Sequence, residues 1–378
     1  MRWTEPHDDS LRAILDTVRK FGEEELLPAY TTHEEEGKFP AEPVKKAGSL
    51  GLFGLTIPEQ YGGMGMNTVA ASYVAREVAY YWPSFHLIWT ANSSLAAFPI
   101  MYAGSEEQKK RILPKLASGE ILGCYALTEP NAGSDARSMK IHAHLQKDGW
   151  VVNGTKTFIT NALHASVAVM FARTGFRDIS AFVLESAPGL KHPGVNVRYL
   201  PKRVLKSSDF CEISFADAVL PEDTLLQGDG WDIAMKTLDG GRINIAAQAI
   251  GMAMWIFDTA LEWTKTRRQF DRAVWDNQKV RLDFAQAHAR LEAAWTLVLA
   301  ASEMRDRGEY CTKIASEAKE NATEIAWQYG GKLATYFGGM AVTQEMPWLP
   351  RLMDIFPTLI YEGANNIQLE VIAKNLDK

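Results

Sequence analysis

The fold of this chain is decided by one stretch, WVVNGTKTFI, at residues 150–159. Its β-branched and aromatic residues are typical of strands, and the Asn153-Gly154 pair in its middle is the one that two-residue hairpin turns prefer. We therefore expect two strands here, at 150–152 and 157–159, joined by a turn at Asn153-Gly154. Similar strand formers between Gly, Asn and Asp turn signals extend from about residue 121 to about residue 228. This pattern predicts a β domain in the middle of the chain, with further strands at 124–127, 167–171 and 181–184.

The residues before this region have a helical pattern instead. Apolar residues recur at three- and four-residue steps, which makes one apolar stripe, and they are Leu11, Ile14, Leu15, Val18 and Phe21. This helix should end near Leu27-Pro28. The sequence Ser105-Glu106-Glu107-Gln108 has the spacing of a capping box, which predicts a helix start there.

Helical periodicity returns after about residue 228 and continues to the end of the chain. It predicts long helices at 231–266, 277–306 and 311–336, which are of the length that packs into a bundle. The chain is thus predicted to be an α+β multidomain protein. Its expected parts are an N-terminal all-α domain at 1–120, a middle β domain at 121–228 and a C-terminal helical bundle at 229–378.

Composition bounds the classes of function. Hydrophobic residues make up 47% of the 378 residues, so the chain can bury a large core. The net charge of −6 and the scattered basic residues argue against a nucleic-acid surface and a polybasic membrane patch. No apolar run approaches the roughly 18 residues that span a bilayer, so no membrane insertion is expected.

Cysteine usage favours a reducing compartment. Cys124, Cys211 and Cys311 are far apart and form no Cys-x-x-Cys pair, which argues against a metal site or a disulfide framework. The first nine residues are polar and acidic and have the features of neither a signal peptide nor a transit peptide. We expect a cytoplasmic protein without a metal.

Two stretches offer chemistry. In YEGANNIQ, at residues 361–368, a carboxylate stands directly before a glycine that permits close approach of backbone and ligand. Glu362 is the candidate catalytic base, although a Glu-Gly pair at a helix entrance is more often a structural turn. In TEPNAGSD, at residues 128–135, Gly133 and the hydroxyls of Thr128 and Ser134 can cradle a phosphate or a planar heteroaromatic ring. From spacing alone, a polar surface turn is the simpler interpretation of that loop.

Six motifs taken together point further. In order and spacing they resemble the acyl-CoA dehydrogenase family across nearly the whole chain, and they are TEPNAGSD (128–135), NGTKTFITN (153–161), GGR (240–242), RRQF (267–270), FGG (337–339) and YEG (361–363). The resemblance implies an N-terminal helical domain, a middle β-barrel-like domain and a C-terminal four-helix bundle. It also implies FAD-dependent α,β-dehydrogenation of an acyl-CoA thioester to the 2-enoyl-CoA.

The resemblance assigns cofactor-binding residues in the middle domain. Those on the flavin side of the first motif are Tyr125, Leu127, Thr128 and Ser134, and Ser134 also approaches the CoA portion of the substrate. Phe158 stands where most members have a Trp against the flavin. Thr160 matches the hydroxyl expected near flavin N5.

Further cofactor contacts are implied in the C-terminal part. The segment expected to reach the FAD pyrophosphate of a neighbouring subunit comprises Arg267, Gln269, Phe270 and Gln278. The adenine-side loop matches Gly338 and Gly339, and Ala364 and Asn366 are assigned to the cofactor beside the base. Because such a site needs two chains, a homotetramer, or at least a dimer, is implied.

For catalysis, the resemblance makes Glu362 the α-proton base and flavin N5 the acceptor of the β-hydride. Some relatives place the base just before the arginine of the GGR motif, where this chain has Gly241, so that alternative is excluded. Arg242 matches the arginine packed near the base, and a role as a buried ion-pair partner stays equally open. The implied substrate contacts are Ser134, Asp239, Arg242 and Gly363.

The acyl group is less defined. Glutaryl-CoA dehydrogenases hold a distal carboxylate with an arginine in the region where this chain has His86, so a dicarboxylyl-CoA substrate requires a cationic histidine; a packed helical His is the competing interpretation. The bulky Trp82, Phe85 and Trp89 favour a short, branched or cyclic acyl group. A flavin monooxygenase or oxidase of the same fold is a further alternative, which the Glu-Gly motif disfavours. An idle binding scaffold is another, and the argument against it is the intact set Glu362, Thr128, Ser134, Arg242 and Arg267. Electron-transfer flavoprotein is the expected electron acceptor.

Overall fold

A computed structural model describes residues 3–377 of the chain. The described residues do not include Met1, Arg2 or Lys378. The first two belong to the predicted N-terminal domain, and the last belongs to the predicted C-terminal bundle. Contacts within the chain divide it into two compact units. Unit 1 comprises the described residues up to Thr32, the segment Thr68–His86 and the residues from Arg242 onward; unit 2 comprises His33–Asn67 and Leu87–Gly241.

Helices occupy both ends of the chain. Those before the sheet are α1 (Asp9–Phe21), α2 (Leu27–Glu36), α3 (Ala41–Ser49), α4 (Thr68–Tyr81), α5 (Pro83–Thr90), α6 (Ala97–Ala103) and α7 (Glu106–Ser118). Those after it are α8 (Gly230–Thr266), α9 (Gln278–Asp306), α10 (Thr312–Ala334), α11 (Trp348–Ile355) and α12 (Asn365–Ala373). The predicted long C-terminal helices are confirmed as α8, α9 and α10, within three residues at each end.

The predicted helix end near Pro28 is wrong. A π-helical turn, Gly22–Leu26, joins α1 directly to α2, and helical structure continues to Glu36. In this turn the Leu27 N–H donates to the Gly22 carbonyl five residues back, and Pro28 follows at once. The wider turn lets the helix pass a proline that has no N–H to donate.

Other local predictions hold. The apolar stripe of α1 is buried at Leu11, Leu15, Val18 and Phe21. The capping box is present as predicted, because the Gln108 N–H donates to the Ser105 hydroxyl and the Gln108 side chain accepts from the Ser105 N–H. Helix α7 begins directly after it.

The middle of the chain forms one seven-stranded sheet. Its strands are β1 (Leu122–Ala126), β2 (His142–Gln146), β3 (Gly149–Ile159), β4 (Ala165–Arg173), β5 (Ile179–Glu185), β6 (Val195–Tyr199) and β7 (Cys211–Leu220). The strand order is β1-β4-β2-β3-β7-β6, with β5 also paired to β4. A two-stranded ribbon, β8 (Arg268–Gln269) and β9 (Arg272–Ala273), follows α8.

The predicted hairpin turn at Asn153-Gly154 is wrong. Both residues lie inside β3, and the hairpin that β3 does form pairs it with β2, with Gln146 opposite Gly149. Gly154 is needed for packing, since a Cβ atom there would stand 2.8 Å from the Cα of Ile141. Asn153 exchanges two hydrogen bonds with Asp217 at a bulge between β3 and β7.

The sheet and the helices of unit 2 enclose one apolar core, which includes Val152, Val169, Phe171 and Phe182. In unit 1, α1 packs on α4 and α4 on α9. The predicted order of an N-terminal helical part, a middle sheet part and a C-terminal helical part is confirmed, whereas the boundaries at 120 and 228 stay predictions. Among residues 3–377, no helix combines the length and the apolar character that crossing a membrane requires.

Candidate active site

The Glu362-Gly363 pair forms a strained turn at the start of α12. Backbone φ is 54° at Glu362 and 94° at Gly363. A positive φ is uncommon for a residue with a Cβ atom and costs on the order of 1–3 kcal/mol, so it persists only where the surroundings impose it. Such outliers mark positions at which backbone geometry serves a site.

Side chains on either side impose this geometry. Gln368 Nε2 donates to the carbonyl oxygens of Glu362 at 3.2 Å and of Gly363 at 2.8 Å. From α10, Lys319 Nζ donates to the Gly363 carbonyl at 2.9 Å and to Asn365 Oδ1 at 2.7 Å. A Cβ atom at Gly363 would stand 2.2 Å from Gln368 Nε2, so only glycine fits beneath that amide.

Tyr361, the residue before the candidate base, forms a hydrogen bond with α8. The Tyr361 hydroxyl donates to Oε1 of Gln248 at 2.8 Å, and Gln248 is fully buried. Burial raises the pKa of Tyr361 well above its ordinary value of 10.0, so its hydroxyl stays protonated and remains a donor.

The Glu362 carboxyl group is buried and has a raised pKa. Its Oε2 is buried and accepts no hydrogen bond from any described residue. Burial raises the pKa of Glu362 from 4.5 to about 7, against the opposing effect of the positive charges of Arg242 and Lys319. A carboxyl group with a pKa near neutrality is matched to general-base catalysis.

Two predicted substrate residues lie on α8. Arg242 and Asp239 are both buried, at 6% and 8% exposure. The positive charge of Arg242 acts to lower the pKa of Glu362, and its role beside the base stays a prediction. Gly241, where some relatives would carry the base, has no side chain to offer.

His86 is not the cation that a distal carboxylate would need. It is fully buried on α5, and burial lowers its pKa to about 3, although the Asn244 side chain, which favours the protonated ring, acts the other way. At neutral pH the imidazole is therefore uncharged. The packed histidine is the interpretation that the structure favours.

The three bulky aromatic residues of this region are core residues. Within unit 1, Trp82 packs against Tyr30 and Phe85, with ring centroids 6.1 and 6.2 Å away, and Phe85 packs against Phe21. Within unit 2, the Trp89 indole donates to the Leu52 carbonyl at 2.8 Å. Packing accounts for all three, so they do not by themselves indicate the size of an acyl pocket.

In unit 2, the TEPNAGSD loop is held by a buried ion pair. Lys156 Nζ donates to Glu129 Oε1 at 3.0 Å and to the Leu127 carbonyl at 2.8 Å. The Glu129 carboxylate also accepts from the backbone N–H groups of Lys140 and Ile141. Burial lowers the pKa of Lys156 to about 8, while Glu129 opposes that change. The loop therefore has a fixed inner side and an exposed outer side.

The outer side carries hydroxyl groups. Ser134 is exposed and Thr128 is half-buried, and the Thr128 carbonyl accepts from the Thr157 N–H at 2.9 Å, which aligns the loop with the end of β3. The neighbouring strand β1 contributes Tyr125, packed edge-on against Phe171, and the chain then runs into buried Leu127. The structure thus brings the predicted residues of the first and second motifs together.

A bulge at the end of β3 turns Phe158 outward. Lys156 pairs with Ile213 but Ile159 pairs with Cys211, so β3 has one residue more than β7 here. Phe158 has φ 64°, is 55% exposed and stacks on Phe210 at 5.0 Å with 14° between the ring planes. Bulges commonly redirect a side chain beside a functional site.

Thr160 follows this bulge and is half-buried. No described residue exchanges a hydrogen bond with the side-chain hydroxyls of Thr128, Ser134 or Thr160. The exposed face of Phe158 can stack on a planar heteroaromatic ring, and the hydroxyl groups of Thr128, Ser134 and Thr160 can form hydrogen bonds with its polar atoms.

The RRQF motif lies at the tip of the β8–β9 ribbon. Phe270 and Asp271 form its two-residue turn with φ of 54° and 62°, and Phe270 is 95% exposed. Arg267, Gln269 and Gln278 are exposed as well. A large apolar side chain in a turn that normally takes Asn-Gly is typical of a surface that meets another molecule.

The glycine loop follows a residue, Phe337, that packs against the end of α8. Gly338 has φ 58° and ψ −138°, which only glycine adopts readily, and Gly339 follows it. Trp263, at the end of α8, packs against Phe337 at 5.5 Å and donates to the Tyr336 carbonyl. The FGG motif therefore lies against the last turns of α8, the helix that leads into the RRQF motif.

Ala364 and Asn366 stand on either side of Asn365, at the start of α12. Ala364 precedes the helix, and Asn366 is exposed on its first turn.

Sequence reasoning missed the residues that support the base and the loop. These are Lys319, Asn365 and Gln368 for the Glu362 turn, and Glu129 and Lys156 for the TEPNAGSD loop. The signal for Lys319 was weak, because a lysine in a helix full of charged residues resembles a solvent-facing one. Glu129 and Lys156 stood inside quoted motifs, and nothing local showed that they pair across 27 positions.

Known proteins resemble this chain throughout. Family models described as acyl-CoA dehydrogenase N-terminal, middle and C-terminal domains match residues 8–120, 124–218 and 228–376. An acyl-CoA dehydrogenase of Bacillus subtilis is 38% identical, covering 95% of this chain and 96% of the relative. The human mitochondrial short-chain specific acyl-CoA dehydrogenase is 37% identical, covering 96% and 89%.

Solved structures agree. Butyryl-CoA dehydrogenase from Megasphaera elsdenii superimposes with a TM-score of 0.95 at 33% identity, covering 99% of this chain and 100% of that one. A glutaryl-CoA dehydrogenase from Mycobacterium smegmatis in complex with FADH2 gives 0.93 at 29% identity, covering 98% and 95%. By sequence and by fold, this chain belongs to the acyl-CoA dehydrogenase family.

Proposed function

We propose that this protein is an FAD-dependent acyl-CoA dehydrogenase that converts an acyl-CoA thioester into the 2-enoyl-CoA. The observation that carries the proposal is the Glu362 carboxyl, with a buried oxygen that no described residue bonds and a pKa of about 7. Removing a weakly acidic α-proton needs a carboxylate whose pKa lies near the working pH and that is not neutralised by a fixed partner. Family membership supports the same reaction.

The residues of unit 2 fit the flavin. Phe158 offers an exposed aromatic face, and Thr128, Ser134 and Thr160 offer hydroxyl groups that could bind polar edges of the ring and of the substrate. We assign these residues, with Tyr125 and Leu127, to the flavin site. FAD, when bound, supplies the acceptor for the β-hydride.

In unit 1, Glu362 takes the α-proton onto its carboxylate. Its backbone N–H donates to no described acceptor, so it is available to stabilise negative charge that develops on the thioester oxygen. Arg242, buried near the carboxylate, keeps part of the Glu362 population ionised at neutral pH. Asp239 and Gly363 complete the proposed substrate contacts.

We propose a short acyl chain. The support is similarity to enzymes named for short-chain and butyryl substrates. Similarity to glutaryl-CoA dehydrogenases keeps a dicarboxylyl-CoA as the second candidate. Uncharged His86 speaks against that candidate, because it offers no positive charge to a distal carboxylate.

Assembly and electron transfer are proposed from the family resemblance. The exposed Phe270 turn supports contact with a neighbouring subunit, to whose FAD pyrophosphate Arg267, Gln269 and Gln278 would donate. Gly338, Gly339, Ala364 and Asn366 are proposed to meet the rest of the cofactor. We propose a homotetramer, electron-transfer flavoprotein as acceptor and a cytoplasmic location.

A panel of thioesters tests this function. Purified holoenzyme is mixed anaerobically with butyryl-, isobutyryl-, glutaryl-, octanoyl- and palmitoyl-CoA, and the flavin absorbance is followed. We expect rapid bleaching with butyryl- or isobutyryl-CoA. Fastest bleaching with palmitoyl-CoA would refute the short-chain assignment, fastest bleaching with glutaryl-CoA would establish the second candidate, and no bleaching with any thioester would refute the dehydrogenase.

A further inference from the structure

Lys319 is a buried lysine whose surroundings lead to the candidate base. Its side chain lies on α10 with no solvent exposure. A lysine is almost never fully buried unless its charge is paired or well bonded. Here the ammonium group bonds the Gly363 carbonyl and Asn365 Oδ1, and both acceptors belong to the segment that begins at Glu362.

Asn365 forms further hydrogen bonds with α10. Asn365 Nδ2 donates to Thr323 Oγ1 at 3.0 Å and to Glu324 Oε1 at 2.9 Å, one turn further along α10. Lys319, Thr323 and Glu324 thus each form a hydrogen bond with the first residue of α12. Since Glu362 has a strained φ, a loss of these bonds would release the turn toward an ordinary conformation.

The charges around Lys319 come from three elements. Glu362 on the turn and Glu324 and Glu320 on α10 favour its charged form, whereas Arg242 on α8 disfavours it. Burial is the largest effect and lowers the pKa of Lys319 to about 7. In turn, the positive charge of Lys319 lowers the pKa of Glu362. The protonation states of the two groups are therefore coupled.

We propose that Lys319 is a positioning residue for the base: its ammonium group fixes the Glu362-Gly363 turn, and its charge favours ionised Glu362. This inference rests on the proposed function. In this role Lys319 acts through the turn and through its charge.

The test compares Lys319→Met with two other variants. Lys319→Arg keeps the charge, and Lys313→Met is a matched control, because Lys313 is a half-buried lysine of the same helix whose side chain forms no hydrogen bond or ion pair with a described residue. The first readout is the pH profile of kcat/KM for flavin reduction. The second is hydrogen exchange of the backbone amides of residues 361–368 in the holoenzyme, which does not depend on turnover.

For Lys319→Met we expect the acid limb of the profile to move up by ~1 pH unit, the scale for loss of a nearby opposite charge, and faster exchange at 361–368. Lys319→Arg should keep the limb near its original position, and Lys313→Met should change neither readout. If Lys319→Met does not fold, Lys319→Gln gives the same comparison.

An unshifted acid limb together with unchanged exchange in Lys319→Met would overturn the inference. A general loss of stability without a shift in the limb would reduce Lys319 to a structural residue and overturn it as well. Either outcome leaves bleaching of the wild-type flavin by acyl-CoA intact, so it is distinguishable from failure of the proposed function.

Discussion

Gln368 covers Gly363 so closely that the two residues form one unit of the candidate site. Gln368 Nε2 lies 2.8 Å from the Gly363 carbonyl oxygen, and a Cβ atom at Gly363 would stand 2.2 Å from that nitrogen. The glycine therefore permits the bond that fixes the backbone next to Glu362. A glycine is favoured at position 363 for two reasons: the backbone φ is positive, and there is no room for a Cβ atom beside the Gln368 amide.

Replacing this glycine should disable the base without unfolding the chain. In Gly363→Ala the new Cβ must displace the Gln368 amide, so Glu362 loses its position, and we expect turnover to fall by on the order of 10². Stopped-flow flavin reduction measures it, and flavin content should be unchanged. Gly331→Ala is the control, because a Cβ there meets nothing within 4 Å. Wild-type rates in Gly363→Ala would show that the turn has no catalytic importance.

The raised pKa of Glu362 predicts a pH dependence. Only the ionised carboxylate accepts the α-proton, so kcat/KM should rise with pH and level off above about 7, where the free enzyme is deprotonated. A glutamate with the ordinary pKa of 4.5 would give a flat profile between pH 6 and pH 8. That flat profile is the result that contradicts the assigned electrostatics.

The same shift predicts a stability effect. The pKa of Glu362 is higher in the folded state than its ordinary value of 4.5, so its contribution to stability is present below about 4.5 and is lost as pH rises through about 7. Glu362→Gln cannot ionise. Its melting temperature relative to wild type should therefore increase between pH 5 and pH 8, as differential scanning calorimetry would detect. A difference that stays constant across this range would argue against the raised pKa.

Phe158 should matter for flavin retention and little for folding. Its ring is 55% exposed and stacks on Phe210, so Phe158→Ala removes the face offered to the cofactor. We expect weaker FAD binding, on the order of tenfold, because an aromatic contact is worth about 1 kcal/mol. Fluorescence titration of apoprotein with FAD measures the change. Phe176→Ala is the control, as Phe176 is 92% exposed on a loop of the same unit, and equal losses in both variants would contradict the assignment.

The Glu129–Lys156 pair should be a stability determinant. Lys156→Met leaves the Glu129 carboxylate buried without its cation, and breaking a buried pair costs ~3–5 kcal/mol. Chemical denaturation of Lys156→Met should have its midpoint at a clearly lower denaturant concentration than that of wild type. Lys147→Met, at the exposed β2–β3 turn, should change stability by no more than about 0.5 kcal/mol. Equal stability of the two variants would contradict the structural role of the pair.

The sequence predicted the fold well where an element depends on interactions between residues that are close along the chain. The Ser105–Gln108 capping box involves neighbours three residues apart, so its sequence determines its geometry. The helices α8, α9 and α10 show their periodicity over many turns. The turn predicted at Asn153-Gly154 is absent because Ile141, the residue before β2, packs on the glycine, and because Asn153 is hydrogen-bonded to Asp217.

The site was predictable only in part for the same reason. The motifs pointed to Glu362 and Phe158, but the Glu362 turn is held partly by Lys319 on α10, and the bulge that turns Phe158 outward arises from the pairing of β3 with β7. Lys319 lies 44 positions from the carbonyl it bonds. His86 could be named from its position, whereas its lack of charge depends on a burial that the sequence does not show.

The most direct measurement is the single-turnover reduction of bound flavin by butyryl-CoA in Glu362→Gln. Under anaerobic conditions, and with FAD content and oligomeric state matched to wild type, we predict a rate lower by ~10²–10⁴, the scale for removing a general base. Flavin bleaching in this variant at the wild-type rate would contradict the account, because the α-proton would then leave to a group other than Glu362.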